Sequence, residues 1–348
     1  MRIRAHTSFH CLAVAAALAG AALLSGCPKK GSDSGVGATD SAPGTDGAAS
    51  DGGGDAASPD AGTTAAERGA YIVNNLATCG GCHSPSDATG MPIPGMELSG
   101  VTCLVDVDPD PAIGCLSSRN LTNDPTGLMN RTDQEIKDMF LDGVRPSGSF
   151  LVPVMPYYEF HNMTAADADA VVAYLRTVPG VPNTPPPNQA PWDVVPAAAV
   201  PIDLADVPAA PAGAENGRYL ASTLANCIEC HTPELPPGDI RPIDMTKPFW
   251  GGRAFPAAAF GLPVPPFPDV IYSMNLTQDA TGIMGRTVAQ IIAELHMGVD
   301  PGGSNICPPM PVGPLGFGGI TDSDATDIAN YILSLAPAVN AIPNGCAF

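Results

Sequence analysis

The pattern Cys-x-x-Cys-His occurs twice in the chain, at residues 79–83 and 227–231. This spacing is the attachment signature of a c-type haem. Two thiols one short turn apart can bond the two vinyl groups of one porphyrin, and the adjacent histidine can bind its iron. Each Cys-x-x-Cys by itself could also be a redox dithiol or half of a zinc site. Two complete copies favour two haem c groups, with thioethers at Cys79, Cys82, Cys227 and Cys230 and iron ligands at His83 and His231.

The sequence around the two motifs is itself repeated. A Glu-x-Gly-x-Tyr segment precedes each motif, at residues 67–71 and 215–219. An Asn-Leu-Thr-x-Asp-x-Thr-Gly segment follows each motif, at residues 120–127 and 275–282. Repetition this dense predicts two copies of one domain.

The repeat sets the expected domain boundaries. We expect one domain at residues 65–178 and a second at residues 214–348, each long enough for a hydrophobic core of its own. Residues 179–213 hold many prolines and show no periodicity, which predicts a stiff linker or a surface wrap.

Each copy is predicted to be mostly helical. Thr64, with Glu67 three residues later, forms a capping box that begins the first helix, which should end at the haem cysteines. Similar patterns begin a second helix in each copy, and Thr164 and Thr321 begin the last helices. No segment shows the sustained alternation that is typical of a strand.

A glycine on the first helix and a tyrosine on the last recur in both copies. The pairs are Gly69 with Tyr174 and Gly217 with Tyr331, and small residues permit close helix approach. This pairing resembles the class I cytochromes c, where the last helix crosses closely over such a glycine. The resemblance implies a mostly α fold of two tandem class I cytochrome c domains, with three to five helices each around a covalent haem.

The sixth iron ligand is predicted from a second repeated pattern, Pro-x-Met-Pro. It contains Met155 in the first copy and Met310 in the second, and it precedes the last helix in both. Class I cytochromes c place their ligating methionine in such a loop, and His/Met ligation raises the haem potential. The resemblance therefore implies Met155 as the ligand of the first iron and Met310 as the ligand of the second.

Other side chains could compete for the sixth position. His161 and His296 would give bis-histidine haems, but neither has an equivalent histidine in the other copy, and we interpret them as surface or supporting residues. Met129 and Met284 do match between copies. They lie directly before a helix cap, and we interpret them as haem-edge or core packing.

The Asn-Leu-Thr segment carries a narrower resemblance. It is similar to a segment in the cytochrome c subunits of periplasmic alcohol, aldehyde and sugar dehydrogenases. Those subunits often carry three haems, and commonly a tryptophan where Arg131 and Arg286 stand here. The resemblance implies a dihaem electron-transfer protein with a dehydrogenase as its partner. In both copies we expect the segment to line the haem, with Asn120 and Asn275 ordering its turn.

The first 26 residues resemble a signal peptide. Two arginines are followed by an apolar run that is too short for a comfortable membrane span. The run ends in Leu-Ser-Gly-Cys, which resembles a bacterial lipobox and implies a lipid on Cys27. An ordinary secretory peptide with an incidental cysteine is the alternative. Pro28 does not resemble an inner-membrane retention signal, so we expect a lipoprotein on the periplasmic side of a bacterial membrane, with the outer membrane favoured.

Residues 27–64, which would be anchored by the lipid on Cys27, should form a disordered tether. They are small, polar and acidic, with little to bury. The whole chain has a formal net charge of −20. This charge argues against binding to nucleic acid and favours basic or dipolar redox partner proteins.

Four further cysteines lie in the predicted domains, and an even remainder in an exported protein suggests disulfides. The pairings we propose from sequence are Cys103–Cys115 and Cys307–Cys346. Free thiols and additional metal ligands are the alternatives.

Two functions are compatible with these features. Two six-coordinate His/Met haems have no vacant iron position, which predicts an electron carrier that relays electrons between a dehydrogenase or other donor and a respiratory acceptor, and no enzyme activity. The alternative is a dihaem enzyme, of the peroxidase or thiosulfate-oxidising type, with one open or labile haem. A haem-based sensor is a third class, but no signalling module accompanies the haem motifs.

Overall fold

Helices dominate both halves of the chain in the computed structural model, which describes residues 63–343 except 88–89, 109, 111, 237–241 and 263. The predicted signal peptide, all but the last two residues of the predicted tether, and the cysteines at 27 and 346 lie outside the described residues. In the described part no helix combines the length and apolar composition needed to cross a bilayer.

The helices follow the repeat. In the first half they are α1 (Ala65–Tyr71), α2 (Cys79–His83), α3 (Asp133–Asp142), α4 (Tyr157–Phe160) and α5 (Ala165–Leu175). In the second half they are α6 (Glu215–Tyr219), α7 (Cys227–Cys230), α8 (Val288–Met297) and α9 (Asp322–Leu333). α1 and α6 each continue into one π-helical turn, Ile72–Leu76 and Leu220–Leu224.

Strands are few and short. The antiparallel pair β1 (Val105–Asp106) and β2 (Cys115–Leu116) lies in the first half, and β3 (Ala254–Pro256) pairs with β4 (Val270–Tyr272) in the second. The mostly helical fold expected from sequence is therefore observed.

Threonine caps begin the principal helices, as predicted. In α1, α3 and α8 the threonine hydroxyl accepts a hydrogen bond from the N–H of the third helical residue. The side chain of that residue in turn accepts a hydrogen bond from the backbone N–H of the threonine. α5 and α9 begin at Thr164 and Thr321 with the first of these bonds. α3 and α8 end at Gly143 and Gly298, which adopt the left-handed conformation that favours glycine.

The first helix ends before the haem cysteines rather than at them. Thr78 has a φ of 44° and Asn226 a φ of 52°, both left-handed. This conformation ends the helix after each π-helical turn. Each Cys-x-x-Cys-His motif therefore begins a short helix of its own, α2 or α7.

The first and last helices of each half cross in close contact. A Cβ added to Gly69 would collide with the Ala170 carbonyl and lie 2.8 Å from Tyr174 Cβ. A Cβ on Gly217 would collide with the Asp327 carbonyl and lie 3.0 Å from Tyr331 Cβ. The predicted glycine–tyrosine approach is thus confirmed in both halves.

Residues 179–213 lie against both halves. The Asn183 amide donates to the carbonyl oxygens of Ser99 and Gly100, at 3.0 Å each. Farther along, the Pro208 carbonyl accepts a bond from the Tyr331 hydroxyl at 2.8 Å. This segment is therefore the surface wrap among the two predicted alternatives.

The two halves also share a core. One hydrophobic cluster contains buried side chains from both halves, among them Leu76 of the first and Leu224 of the second. The described residues accordingly belong to one compact unit.

Candidate haem sites

Each haem motif presents its histidine in a fixed orientation. His83 Nδ1 donates to the Arg119 carbonyl oxygen at 2.7 Å, and His231 Nδ1 donates to the Met274 carbonyl oxygen at the same distance. A histidine whose Nδ1 proton is held this way keeps a lone pair on Nε2 for a metal. Burial lowers the pKa of both histidines, against the smaller opposing effect of these hydrogen bonds. The neutral imidazole that iron requires is therefore favoured at both positions.

The second motif opens into a cavity of about 360 Å³. Cys227, Cys230 and His231 line this cavity together with Met310. Most of its walls are apolar side chains, including Ile283, Ile291, Leu295, Ile328 and Ile332. This apolar space is faced by two thiols that could attach a porphyrin and by an imidazole and a thioether that could bind its iron, so these residues fit a c-type haem.

The first half repeats the spacing, partial burial and turn of the methionine. The same number of residues separates Asn120 from Met155 as separates Asn275 from Met310. Both methionines are partly buried against the core. Each lies in a tight turn, because the Met155 carbonyl accepts a backbone bond from Tyr157 at 2.8 Å and the Met310 carbonyl accepts one from Val312 at 2.9 Å.

The Asn-Leu-Thr segments form matching turns. In the first, the Thr122 N–H donates to Asn120 Oδ1 at 2.9 Å, and the Asn120 amide donates to the Val181 carbonyl at 2.8 Å. Asn275 makes the same turn with Thr277, at 2.9 Å. The asparagines order the turn, as predicted.

The thiols of the motifs do not resemble reactive dithiols. Burial raises the pKa of Cys79 and that of Cys227 to about 12. Redox Cys-x-x-Cys pairs instead have thiols with a lowered pKa. This difference argues against the redox-dithiol interpretation of the motifs.

The rival ligands lie elsewhere. His161 is exposed and its Nδ1 lies 3.0 Å from Asp142 Oδ1. His296 lies in α8, with Nδ1 3.9 Å from Asp322 Oδ1. The interpretation of Met129 and Met284 as core packing is wrong, since they are 51% and 61% exposed. Each methionine follows an Asn-Leu-Thr turn, in which the asparagine and the threonine are buried, while the methionine itself lies at the surface.

Three of the remaining cysteines lie in the described part of the chain. Cys103 and Cys115 are joined by a disulfide, beside the β1–β2 pair. Cys307 is also disulfide-bonded, and its proposed partner, Cys346, lies outside the described residues.

A buried polar cluster beside the second motif was not predicted from sequence. Glu159 of α4 is 0% exposed. Its Oε2 accepts a 2.8 Å hydrogen bond from the Asn226 side-chain amide in the amide orientation that gives both the oxygen and the nitrogen a partner. Arg253 pairs with Glu229 at 2.9 Å and with Glu234 at 2.8 Å. Glu229 stands inside the haem motif, but nothing near Glu159 in the sequence indicates burial, because its cover comes from the other half.

Comparison with known proteins points to cytochromes. No protein-family model matches the chain. It is 29% identical over 193 residues to the cytochrome c subunit of an alcohol dehydrogenase (quinone) of Gluconacetobacter polyoxogenes, which covers 51% of this chain and 38% of that protein. It is 32% identical over 133 residues to a fructose dehydrogenase cytochrome subunit of Gluconobacter japonicus, covering 35% of this chain and 27% of that protein.

A third relative is a diheme cytochrome c-type protein of Cereibacter sphaeroides, 27% identical over 167 residues, which are 44% of this chain and 53% of that protein. The chain thus spans well under two thirds of the length of each of these relatives. Its resemblance to cytochrome c subunits of dehydrogenases, predicted from sequence, is confirmed at this modest identity. These relatives support electron transfer by a cytochrome.

Proposed function

We propose that the chain is an electron carrier with two tandem class I cytochrome c domains, each holding one covalent haem. The first haem site consists of Cys79, Cys82, His83 and Met155, and the second of Cys227, Cys230, His231 and Met310. A haem bound at each site would supply a one-electron ferric/ferrous couple.

One observation carries this proposal: His231 and Met310 line the same apolar cavity as the two thiols of their motif. If both residues bind iron, the site has no vacant coordination position, so the iron can exchange electrons but cannot bind a substrate. Most of the wall residues are apolar, and the Met274 carbonyl holds the imidazole in the tautomer that binds metal.

The packing of the halves supports exchange between the two sites. The charge of Glu229, in the second motif, contributes to the raised pKa of Cys82 in the first. In the orientation that gives both of its atoms a partner, the Asn226 amide, next to the second motif, donates to Glu159, which lies four residues after Met155 in the first half. These contacts support the proposal that both sites face the surface where the halves meet.

The names of the relatives suggest the partner. Several are subunits of dehydrogenases, so a dehydrogenase is the donor that we propose, with a respiratory acceptor on the other side. The net charge of −20 favours a basic or dipolar face on these redox partner proteins. We further propose export and lipid attachment at Cys27, which would hold the carrier on the periplasmic side of a membrane.

Optical spectra of the purified protein test the proposal. We expect a haem content of two per chain, a methionine-to-iron charge-transfer band in the ferric form, and no change when carbon monoxide is added to the ferrous form. Carbon monoxide binding to one haem would favour the alternative dihaem enzyme. A haem content below two would contradict the two-site assignment itself.

A further inference from the structure

The second haem site carries three charged side chains in its cavity wall: Arg286, Glu294 and Asp300. The Arg286 guanidinium bonds to the Glu294 carboxylate. Asp300 lies in the turn that follows α8, where its Oδ1 accepts the Ser304 N–H at 2.8 Å. The two acids outnumber the one cation, so this wall has a negative balance.

The turn after α3 in the first half has the same backbone structure. The Arg145 N–H donates to the Ser149 carbonyl at 2.8 Å, as the Asp300 N–H donates to the Ser304 carbonyl at 2.9 Å. The bridges that close the two turns, Val144–Phe150 and Val299–Asn305, are also equivalent. Arg145 therefore occupies the place of Asp300, with the opposite charge.

A second acid is also missing from the first site. Glu294 lies four residues before the left-handed glycine that ends α8, and Met139 lies at the same distance before the glycine that ends α3. A partly buried methionine thus stands where the second site has a carboxylate.

The residues whose carbonyls hold the two histidines also differ in charge, with the positive charge again in the first half. The carbonyl that holds His83 belongs to Arg119, and the one that holds His231 belongs to Met274. Arg119 lies close enough to Arg145 for its charge to lower the pKa of that guanidinium, after the larger effect of burial. Arg119 donates to the carbonyls of Pro185 and Pro186 and to the Asn188 amide oxygen, all of them neutral.

Arg145 donates to the Phe150 carbonyl, which is also neutral. Across the described ranges, neither Arg119 nor Arg145 forms an ion pair with a carboxylate. Both positive charges, one on the residue whose carbonyl holds His83 and one in the turn after α3, therefore lack a direct carboxylate partner.

The haem motifs also differ in charge, although the carboxylate involved lies near both motifs. Glu229 stands between the cysteines of the second motif, where the first motif has Gly81. Arg253 is shared between Glu229 and Glu234, so this group also has one more acid than cation.

From these charges we infer that the first haem site has a higher reduction potential than the second, an inference that rests on the proposed function. Reduction removes one positive charge from a haem iron, so nearby cations stabilise the reduced form and nearby carboxylates stabilise the oxidised form. Arg119 and Arg145 act at the first site in this way, and Glu294 and Asp300 act against reduction at the second. The order makes the second half the entry for electrons and the first half the exit.

Redox titration of the intact two-haem protein, followed by its haem absorption, tests the order. We expect two one-electron steps that differ at least tenfold in equilibrium constant, or ~59 mV. Arg145→Asp should lower the higher step and leave the lower one in place. Asp300→Arg should raise the lower step and leave the higher one in place. Asp206→Arg, at an exposed position in the wrap, changes the charge equally and should move neither step.

Three results would overturn the inference: coincident steps in the wild type, a shift of the lower step in Arg145→Asp, or a shift of the higher step in Asp300→Arg. These results are distinguishable from a failure of the proposed function. The haem content and the carbon monoxide test on the same samples report on that function, and they do not depend on the order of the potentials.

Discussion

The Tyr71 hydroxyl donates a 2.6 Å hydrogen bond to Asp324 and so joins the first helix of one half to the last helix of the other. Tyr219, the equivalent residue of the second half, donates a 2.8 Å bond to Asp167 of the first half. Each hydroxyl also accepts a backbone N–H at 3.1 Å, from Thr321 or from Thr164. The repeat therefore packs against itself reciprocally, in the manner of a two-fold dimer within one chain.

Tyr219→Phe should weaken this junction. The change removes a hydrogen bond to a carboxylate and leaves the Thr164 N–H without its acceptor, which costs about 1.5–3 kcal/mol. Chemical denaturation of the haem-loaded protein, followed by circular dichroism, measures the loss. Tyr174→Phe serves as the control, because the Tyr174 hydroxyl bonds to Asn74 within the same half and at the surface. Equal losses in the two variants would show that the junction bonds contribute little.

The two tyrosines should not act independently. Asp167 also accepts two bonds from Arg68, and the charges of Asp167 and Asp324 both raise the pKa of that guanidinium against the effect of burial. Tyr71→Phe and Tyr219→Phe thus disturb one shared network. We expect the loss in the double variant to differ from the sum of the single losses by more than about 0.5 kcal/mol, a difference that a double-mutant cycle measures. A simple sum would mean that Arg68 does not couple the two bonds.

Gly69→Ala should be strongly destabilising. The new Cβ would meet the Ala170 backbone and Tyr174 Cβ, neither of which can move without separating α1 from α5. Overpacking of this kind costs about 1–3 kcal/mol, and separation of the helices adds to it. Gly302→Ala is the matched control, since its Cβ would approach only the flexible Asp300 carboxylate at 3.2 Å. A thermal midpoint of Gly69→Ala equal to that of the control would contradict the close crossing.

Local chemistry explains which features could be predicted from sequence. The threonine caps, the asparagine turns and the glycine helix ends involve residues a few positions apart, so a short segment contains the whole interaction. The Gly69–Tyr174 crossing spans a longer distance, but its recurrence as Gly217–Tyr331 indicated the pair.

Features that depend on docking could not be predicted this way. Tyr71 and Tyr219 are visible as a repeated tyrosine, but their partners lie 253 and 52 residues away in the other half. Glu159 is buried by the second half, and a glutamate in a short polar segment gives no sign of this. The left-handed residues before the cysteines were also missed, because Thr78 shows no preference for that conformation.

Met310→Ala should remove one thioether from the second haem site while the first keeps its ligand. We expect the methionine-to-iron band to fall to about half and the potential of one haem to decrease, because His/Met ligation raises it. Met155→Ala should affect the other haem in the same way. Met129→Ala and Met284→Ala, at exposed methionines that also recur, should leave the band unchanged. Loss of the band in these last variants would reassign the ligands.

Glu159 predicts a dependence of stability on pH. Burial, reinforced by the charge of Glu229, raises its pKa well above the ordinary value, although Arg253 opposes this. The folded protein then holds a proton that the unfolded chain releases above its pKa of about 4.3. Stability should therefore fall as pH rises through the interval between the unfolded and folded pKa, by at most about 1.4 kcal/mol per pH unit.

Glu159→Gln removes the titrating group and should flatten this slope. The free energy of unfolding of the variant should therefore rise relative to that of the wild type as the pH increases from 5 to 8. Denaturation curves at several pH values measure the difference between the two slopes. Glu97→Gln makes the same substitution at an exposed glutamate, and its stability curve should run parallel to that of the wild type. Parallel curves for Glu159→Gln as well would mean that the carboxyl group is ionised in the folded protein. Arg253 would then neutralise Glu159 in addition to Glu229, because a buried carboxylate without a compensating charge is too costly to retain.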